Sequence, residues 1–418
     1  MNLFGFSANN LPGNICLKIY PDILSDLQLP KTVIFMTGTN GKTATAIALS
    51  HFFRTQNLCV VNNNEGSNLD SGIISKLLKS TSLNGTVKAD VAVLEVDEDA
   101  VAKLAKIMNP HYIILTNLYR DSITKNAHAD YVLEKLLKIP ENIPMIINAD
   151  DMISCEFRRK SNPKIYFGVE KAPGKTDQCE NIICDVRACP ECGMPITYEY
   201  IQFHHIGRAH CDYCGYTMPD PDIYADQISE DYASYRVTDR IRNQNEIFRN
   251  QSKNLFEIYN MLSIIAVCLD LNYSLSTIRE SLETLPDTGG RYEEASVNDT
   301  QIISMVAKAQ NPISCSQSFE KARHIQGKKI IILAVNDRVY GTHGHHEDTS
   351  WFYDTDFEFI VSDDVINYII TGPRGYDVAL RLYFAGADPN KMIFAPKYNT
   401  DMVKLVDYDA VKGGSILF

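Results

Sequence analysis

The chain has 418 residues, of which 45% are hydrophobic and 22% charged, a balance that excludes a disordered or fibrous protein and allows two or three domains of about 150 residues each. Its formal net charge of −12 excludes a surface that grips a nucleic-acid backbone over its whole extent. The N-terminal stretch lacks the basic flank and apolar core of a signal peptide, and no apolar run approaches the length of a membrane span, so a cytoplasmic protein without a transmembrane segment is expected.

In chain order, short β-branched runs alternate with helical stretches. TVIFMTG (Thr32–Gly38) reads as a buried strand, and the helix TATAIALSHFFRTQ follows. CVVNNN, VAVLEVDE (Val91–Glu98), YIILTN (Tyr112–Asn117) and PMIINADD (Pro144–Asp151) repeat the pattern, each an apolar run ending in polar residues. This predicts an α/β domain with a parallel sheet and its chemistry at the carboxyl ends of the strands. From Cys179 to about Asp222 helical periodicity gives way to cysteines, glycines, prolines and aromatics, which marks an insertion. Helices are expected at 254–271 and 275–285, then a PDTGGR turn. After Glu294 a second α/β pattern begins, with IISMVA, KIIILAVND, FEFIVSD (Phe357–Asp363) and MIFAP as its strands. The expected domains are therefore 1–294 and 295–418, with the insertion 179–222 inside the first.

MTGTNGKTATA (Met36–Ala46) joins a strand to a helix. Gly38 and Gly41 permit a tight turn through Thr39 and Asn40, so backbone N–H groups can face phosphate oxygens. Lys42 can reach terminal phosphates, and the Thr43 hydroxyl can bind Mg²⁺. Met36 stands where the strict phosphate-loop pattern has glycine. A carboxylate at a neighbouring strand tip, Glu95, is placed to give the same metal an oxygen ligand. Asp97 and Glu98 read as solvated helix-capping residues.

Six of the eleven cysteines lie between Cys179 and Cys214, which favours a metal site in a reducing compartment over a disulfide framework. Cys189-Pro-Glu-Cys192 and Cys211-Asp-Tyr-Cys214 form two C-x-x-C knuckles separated by 18 residues, each followed by glycine. That spacing fits a structural Cys₄ zinc ribbon, with a redox role for one pair as the alternative. Cys179 and Cys184 have no assignment. Near the C-terminus, Leu333–Glu358 carries His343, His345, His346, Glu347 and Asp348 before the chain's single Trp351; solvated loop residues or a metal cluster both suit this composition.

The loop T-G-T-x-G-K-T resembles that of the Mur ligase family, ATP-dependent enzymes that build amide bonds on cell-wall precursors. Thr116-Asn117, Asn148-Ala149-Asp150-Asp151, Phe256–Asn260 and Gly290-Arg291-Tyr292-Glu293 resemble further family motifs in the right order, although Glu257 stands where one has asparagine. The resemblance implies ATP contacts from Asn260 and Arg291 and a metal-binding role for Glu95. The family's histidine after T-N is not seen in Leu118–Ser122. The Cys₄ ribbon, D-x-S-W (Asp348–Trp351) and D-x-D-F-E (Asp354–Glu358) narrow the resemblance to the MurT branch. What this implies is ATP-dependent amidation of the D-glutamate α-carboxylate of lipid II to D-isoglutamine, through an acyl phosphate and at the inner membrane face. Ammonia would come from a GatD-type glutaminase partner. Asp348 would then complete a Cys–His–Asp triad in that partner, while Asp337, Asp354 and Asp356 are nearby competitors whose alternative role is structural capping. Other readings are a stand-alone amino-acid ligase, a docking subunit without catalysis, and a zinc-ribbon nucleic-acid ATPase.

Overall fold

The computed structural model describes residues 10–64, 68–121, 128–286, 292–308, 310–335, 337, 348–395 and 400–418, with the side chains of 400 and 401 excepted. The chain divides into two compact units, the first built from most of the residues up to 286 and the second from 287–418 with 121–127 and 181–183.

The first unit begins with two short helices, α1 (Leu11–Ile19) and α2 (Ile23–Asp26). Strand β1 (Thr32–Thr37) then leads into α3 (Lys42–Thr55). The alternation continues as β2 (Val60–Asn62), α4 (Asp70–Lys79), β3 (Val91–Glu95), α5 (Val101–Met108), β4 (Tyr112–Leu115), α6 (Ala129–Leu136), β5 (Met145–Asn148) and β6 (Lys164–Val169). A hairpin of β7 (Thr197–Phe203) and β8 (Ile206–His210) precedes β9 (Ile223–Asp226), β10 (Ser234–Asp239) and β11 (Gln244–Arg249). Helices α7 (Leu255–Asp270) and α8 (Leu275–Glu283) close the unit.

The nine-stranded sheet runs β11-β10-β9-β6-β5-β4-β1-β3-β2. Its pairings from β9 to β2 are parallel, and β10 is antiparallel to both β9 and β11. The apolar runs read as strands are buried on both faces, with Ile34, Phe35, Met36, Val93, Leu94, Ile113, Ile114 and Ile146 all shielded from solvent. Each such side chain contributes about 1.5–3 kcal/mol of burial, which is why an unbroken apolar run succeeds here where alternation would not. The register sets Met36 beside Glu95, Thr37 beside Leu115 and Leu115 beside Ile147. Thr37, Glu95 and Asn148, which end β1, β3 and β5, and Thr116, just past β4, therefore meet along one edge.

The second unit holds β12 (Tyr292–Val297), β13 (Thr300–Met305), α9 (Pro312–His324), β14 (Lys329–Ala334), β15 (Val365–Thr371), α10 (Gly375–Phe384), β16 (Met392–Phe394) and β17 (Ser415–Leu417). Its sheet order is β12-β13-β17-β14-β15-β16, parallel except for the β12–β13 hairpin. One expected strand is corrected: FEFIVSD begins with a 3₁₀ turn, Phe357–Ile360, and the strand is the following β15. Phe357, Phe359 and Ile360 are all buried, so the run imitates a strand in composition while its backbone coils. Among the described residues no helix is long and apolar enough to cross a membrane.

Candidate active site

The loop between β1 and α3 is shaped by two glycines with positive φ, Gly38 at 121° and Gly41 at 86°. A Cβ on Gly38 would meet Thr116 Oγ1 at 2.4 Å, and one on Gly41 would meet Asn260 Oδ1 at 2.3 Å, so neither position accepts a side chain. Thr116 Oγ1 donates to the Asn40 carbonyl (2.7 Å), Asn117 Nδ2 donates to the same oxygen (3.2 Å), and Asn117 Oδ1 accepts from Asn40 N–H (3.0 Å). Thr39 N–H donates to the Asn117 carbonyl at 2.9 Å. The T-N pair thus clamps the loop, leaving the first N–H groups of α3 at an N-terminus that favours anions.

Thr43 Oγ1 donates to Glu95 Oε2 at 2.9 Å, which brings together the two oxygen groups expected to share a cation. Asn63 fixes the end of β3 by bonding both Glu95 N–H and Glu95 C=O at 2.8 Å. A hydroxyl and a carboxylate side by side at a phosphate loop fit a hard divalent ion such as Mg²⁺. Lys42 differs from expectation. Its ammonium is buried, bonded to the Gly38 carbonyl and paired with Glu98 Oε1 at 2.7 Å, so Glu98 is no solvated cap. Asp97 is buried too, accepting from Asp99 N–H and from Asn68 Nδ2.

Asn260 lies on α7 with its amide against Gly41, and it donates to Glu257 (3.1 Å), whose carboxyl burial pushes up in pKa. Arg291 and Gly290 lie outside the described residues, as do Asn336 and His343–Glu347.

The four knuckle sulfurs all lie within 4.8 Å of one another, with Cys189–Cys214 and Cys192–Cys211 both at 3.6 Å. Four sulfurs about 2.3 Å from a central ion stand about 3.8 Å apart, so the cluster is compatible with tetrahedral zinc. Each knuckle turns through a left-handed glycine, Gly193 or Gly215, whose N–H returns to the first cysteine's carbonyl. The purified protein is expected to hold about one zinc per chain. Cys189→Ser should release it and unfold the insertion; metal analysis of freshly purified, reduced protein decides the point, and absence of zinc there contradicts it.

Cys179 and Cys184, unassigned from sequence, converge on the His204 carbonyl at 3.4 and 3.8 Å. A hydrogen bond from Cys179, outweighing burial, draws the Cys184 thiol down to about 6. His204 and His205 form the turn between β7 and β8 and are fully buried. His205 Nε2 lies 3.2 Å from Asp151 Oδ1; burial opposes its charge, yet the carboxylate holds the imidazole above its usual value. Asp151 Oδ2 also accepts from Leu118 N–H at 2.7 Å and from Ser154 Oγ at 2.5 Å. Asp150, its carboxyl pushed up to about 6 by burial, accepts from Val169 N–H and from Tyr259 OH on α7, both at 2.7 Å. Sequence reasoning found N-A-D-D by resemblance but missed its histidine, which lies far along the chain in the insertion.

In the second unit Asp348 is exposed and accepts from Ser350 N–H at 2.8 Å. It leads into a 3₁₀ turn, Ser350–Asp354. Buried Arg381 of α10 holds that segment: it donates to the carbonyls of Phe352 (3.0 Å) and Thr355 (2.8 Å) and forks onto Glu358 at 2.9 and 2.8 Å. No motif signalled Arg381, because its role depends on a strand and helix packing back over the turn. Of the competing carboxylates, Asp356 is buried, accepting from Asn181 Nδ2 and Ile182 N–H, and Asp337 pairs with Arg374 at 3.4 Å. Asp354 is half-buried.

Residues 36–186 match the Mur ligase middle domain and residues 309–414 match the MurT ligase C-terminal domain. The chain is 27% identical over 409 residues to the lipid II isoglutaminyl synthase (glutamine-hydrolyzing) subunit MurT of Staphylococcus aureus, covering 97% of this chain and 89% of that protein. Its likeness to the Streptococcus pneumoniae subunit of the same name is 26% over 393 residues, 92% of this chain and 84% of the relative. In fold it is similar to a pseudomurein peptide ligase type C from Methanothermus fervidus (TM-score 0.68, 21% identity, 95% and 77% covered). It is likewise similar to MurF ligase from Thermotoga maritima in complex with ADP (TM-score 0.60, 14% identity, 97% and 79% covered). With residues 36–186 matching the Mur ligase middle domain and residues 309–414 matching the MurT ligase C-terminal domain, the chain resembles the MurT subunits along most of its length.

Proposed function

We propose that this chain is the ligase subunit of a glutamine-dependent amidating enzyme acting on lipid II, converting the D-glutamate α-carboxylate of the stem peptide to the amide. The observation that carries the reading is a Gly38–Thr43 loop clamped by Thr116 and Asn117, in a chain that is similar to MurT subunits along 92–97% of its length.

ATP with Mg²⁺ would supply the phosphoryl group that turns the carboxylate into an acyl phosphate; ammonia would then attack the carbonyl carbon and expel inorganic phosphate, leaving the amide. The residues of this chain hold and orient. The backbone of Gly38, Thr39, Asn40 and Gly41 and the N-terminus of α3 would receive the phosphates, and Asn260 and Arg291 would contact the nucleotide. Thr43 and Glu95 would hold the cation. Lys42, with Gly38 and Glu98 taking two of its three N–H groups, would offer the third to a phosphate oxygen, so that the charge developing there meets a fixed ammonium in a water-poor site.

Ammonia would come from a GatD-type glutaminase. The exposed Asp348, held on a turn fixed by Arg381, is available to orient a histidine on such a partner. Helix α10 supports docking: Tyr376, Leu380, Tyr383 and Phe384 line one face at helical spacing and are all exposed.

The test is reconstitution. The chain is combined with the glutaminase subunit, lipid II, ATP and glutamine, and the lipid-linked peptide is read by mass for carboxylate-to-carboxamide exchange. Amide formation that needs all four components supports the reading. ATP turnover that joins an added amino acid instead would replace it with a stand-alone ligase. No ATP turnover in the complete mixture would leave only a docking role.

A further inference from the structure

The insertion carries more than its cysteine cluster. Its β7–β8 hairpin drives the His204-His205 turn into the first unit beside the phosphate loop. The chain enters this turn at a cost, since His204 adopts a left-handed φ of 54°, a conformation uncommon for a side-chain-bearing residue. Pairing across the turn is kept by Phe203 and Ile206, and Ile206 also bridges to Asp151, while Gly207 N–H donates to the Asp150 carbonyl at 2.9 Å. Gly207 has no room for a side chain, because a Cβ there would meet the Tyr200 carbonyl at 2.2 Å. Phe203 packs edge-on against Phe256 at the start of α7, with ring centroids 5.1 Å apart.

From this turn a short path reaches the nucleotide loop. His205 meets Asp151, and the other oxygen of Asp151 receives Leu118 N–H. The next residue, Tyr119, lays its ring edge-on to His205, centroids 5.1 Å apart. Tyr119 N–H donates to Thr39 Oγ1 at 2.9 Å, and Thr39 Oγ1 lies 3.2 Å from the Tyr119 carbonyl. Every member of this path is buried or nearly so, which makes each hydrogen bond hard to replace with water.

We propose that His205 is a positioning residue for the nucleotide loop: through Asp151 and Tyr119 it sets Thr39, so the metal-bound state of the ribbon tunes nucleotide affinity. The proposal rests on the reading of Gly38–Thr43 as a nucleotide site. His205 touches no reacting atom, and its effect belongs in binding. Removing its hydrogen bond leaves Asp151, still held by Leu118 N–H, Ser154 Oγ and Ile153 N–H, with one buried partner fewer, and takes from Tyr119 its edge contact, so Thr39 is set less firmly. The hairpin that carries His205 joins the two knuckles, Cys192 preceding β7 and Cys211 following β8, so an ion that fixed the knuckles would fix both ends of the hairpin as well.

The experiment uses the full chain and ADP as probe, with calorimetric affinity, zinc content and melting temperature measured together, and ATP KM and kcat read in the reconstituted reaction. His205→Leu is expected to weaken ADP binding about tenfold and raise ATP KM in step, about the worth of one charge-assisted hydrogen bond, while kcat and zinc content hold. His205→Gln, which can still donate to Asp151, should stay within about threefold of the parent by the same reckoning. A leucine variant that keeps its zinc and binds ADP as the parent does overturns the proposal, and so does a glutamine variant as weak as leucine. If leucine prevents folding, zinc is stripped from the unmutated chain with a chelator. Reduced ADP affinity in that sample supports the coupling, and unchanged affinity refutes it. An unmutated, zinc-loaded chain that binds no ADP is a separate outcome, since it removes the nucleotide reading on which the proposal stands.

Discussion

Lys42→Ala is expected to lower amidation by about 10²–10³-fold or more with either glutamine or free ammonia as nitrogen source, as loss of a fixed charge at a developing oxyanion does. The burial of this lysine changes how the experiment must be built. Lys42 and Glu98 pair at 2.7 Å away from solvent, so deleting the ammonium alone leaves a buried carboxylate uncompensated. Breaking such a pair costs about 3–5 kcal/mol, enough to confuse a lost activity with a lost fold. Lys42→Ala combined with Glu98→Gln removes that ambiguity, because a neutral amide tolerates the vacated partner. The double variant should melt closer to the parent than Lys42→Ala does, yet remain as inactive. Full amidation by a folded double variant would sink the assignment of the loop.

Asp348→Asn gives the opposite pattern. Asparagine keeps the shape and removes the charge, and a triad aspartate works by fixing the imidazole tautomer and stabilising its charged form. Glutamine-dependent amidation should fall by about 10³–10⁴-fold, the loss seen when such an aspartate is neutralised. ADP affinity should be unchanged, and ammonia at high concentration should restore product, because the ligase site needs only the nucleophile. Loss of activity with ammonia as well would assign Asp348 to the ligase site. Unchanged activity with glutamine would turn attention to Asp354, which is half-buried where Asp356 is fully buried.

The parts legible in the sequence are those where one physical signal dominates. Buried parallel strands need unbroken apolar runs, and the runs ending at Thr37, Glu95, Leu115 and Asn148 stood out for that reason. Two C-x-x-C knuckles at ribbon spacing left little else for their sulfurs to do. Failures arose where a residue's role is set by a distant partner. Glu98 looked like a cap because local pattern cannot reveal a lysine 56 positions away. His205 and Asp151 are 54 positions apart, and no motif spans them. Phe357–Ile360 misled because coiled and extended backbones can bury the same aromatic residues.

The parallel pairing of Phe167 with Ile223 and of Val169 with Ala225 has a consequence for how the molecule is wired. Two parallel neighbours cannot be joined by a tight hairpin, so the chain must travel back along the sheet between them, and elsewhere in such folds a helix usually makes that return journey. Here the segment that carries the two cysteine knuckles makes the return. A slack tether between two ends costs only about 0.6 kcal/mol more for each doubling of its length. If the ion departs and the ribbon loosens, β6 and β9 can stay paired with a longer leash between them. On the proposed coupling, the sheet would keep its frame with or without the ion, and the turn pressed against Asp151 would be what registers the difference.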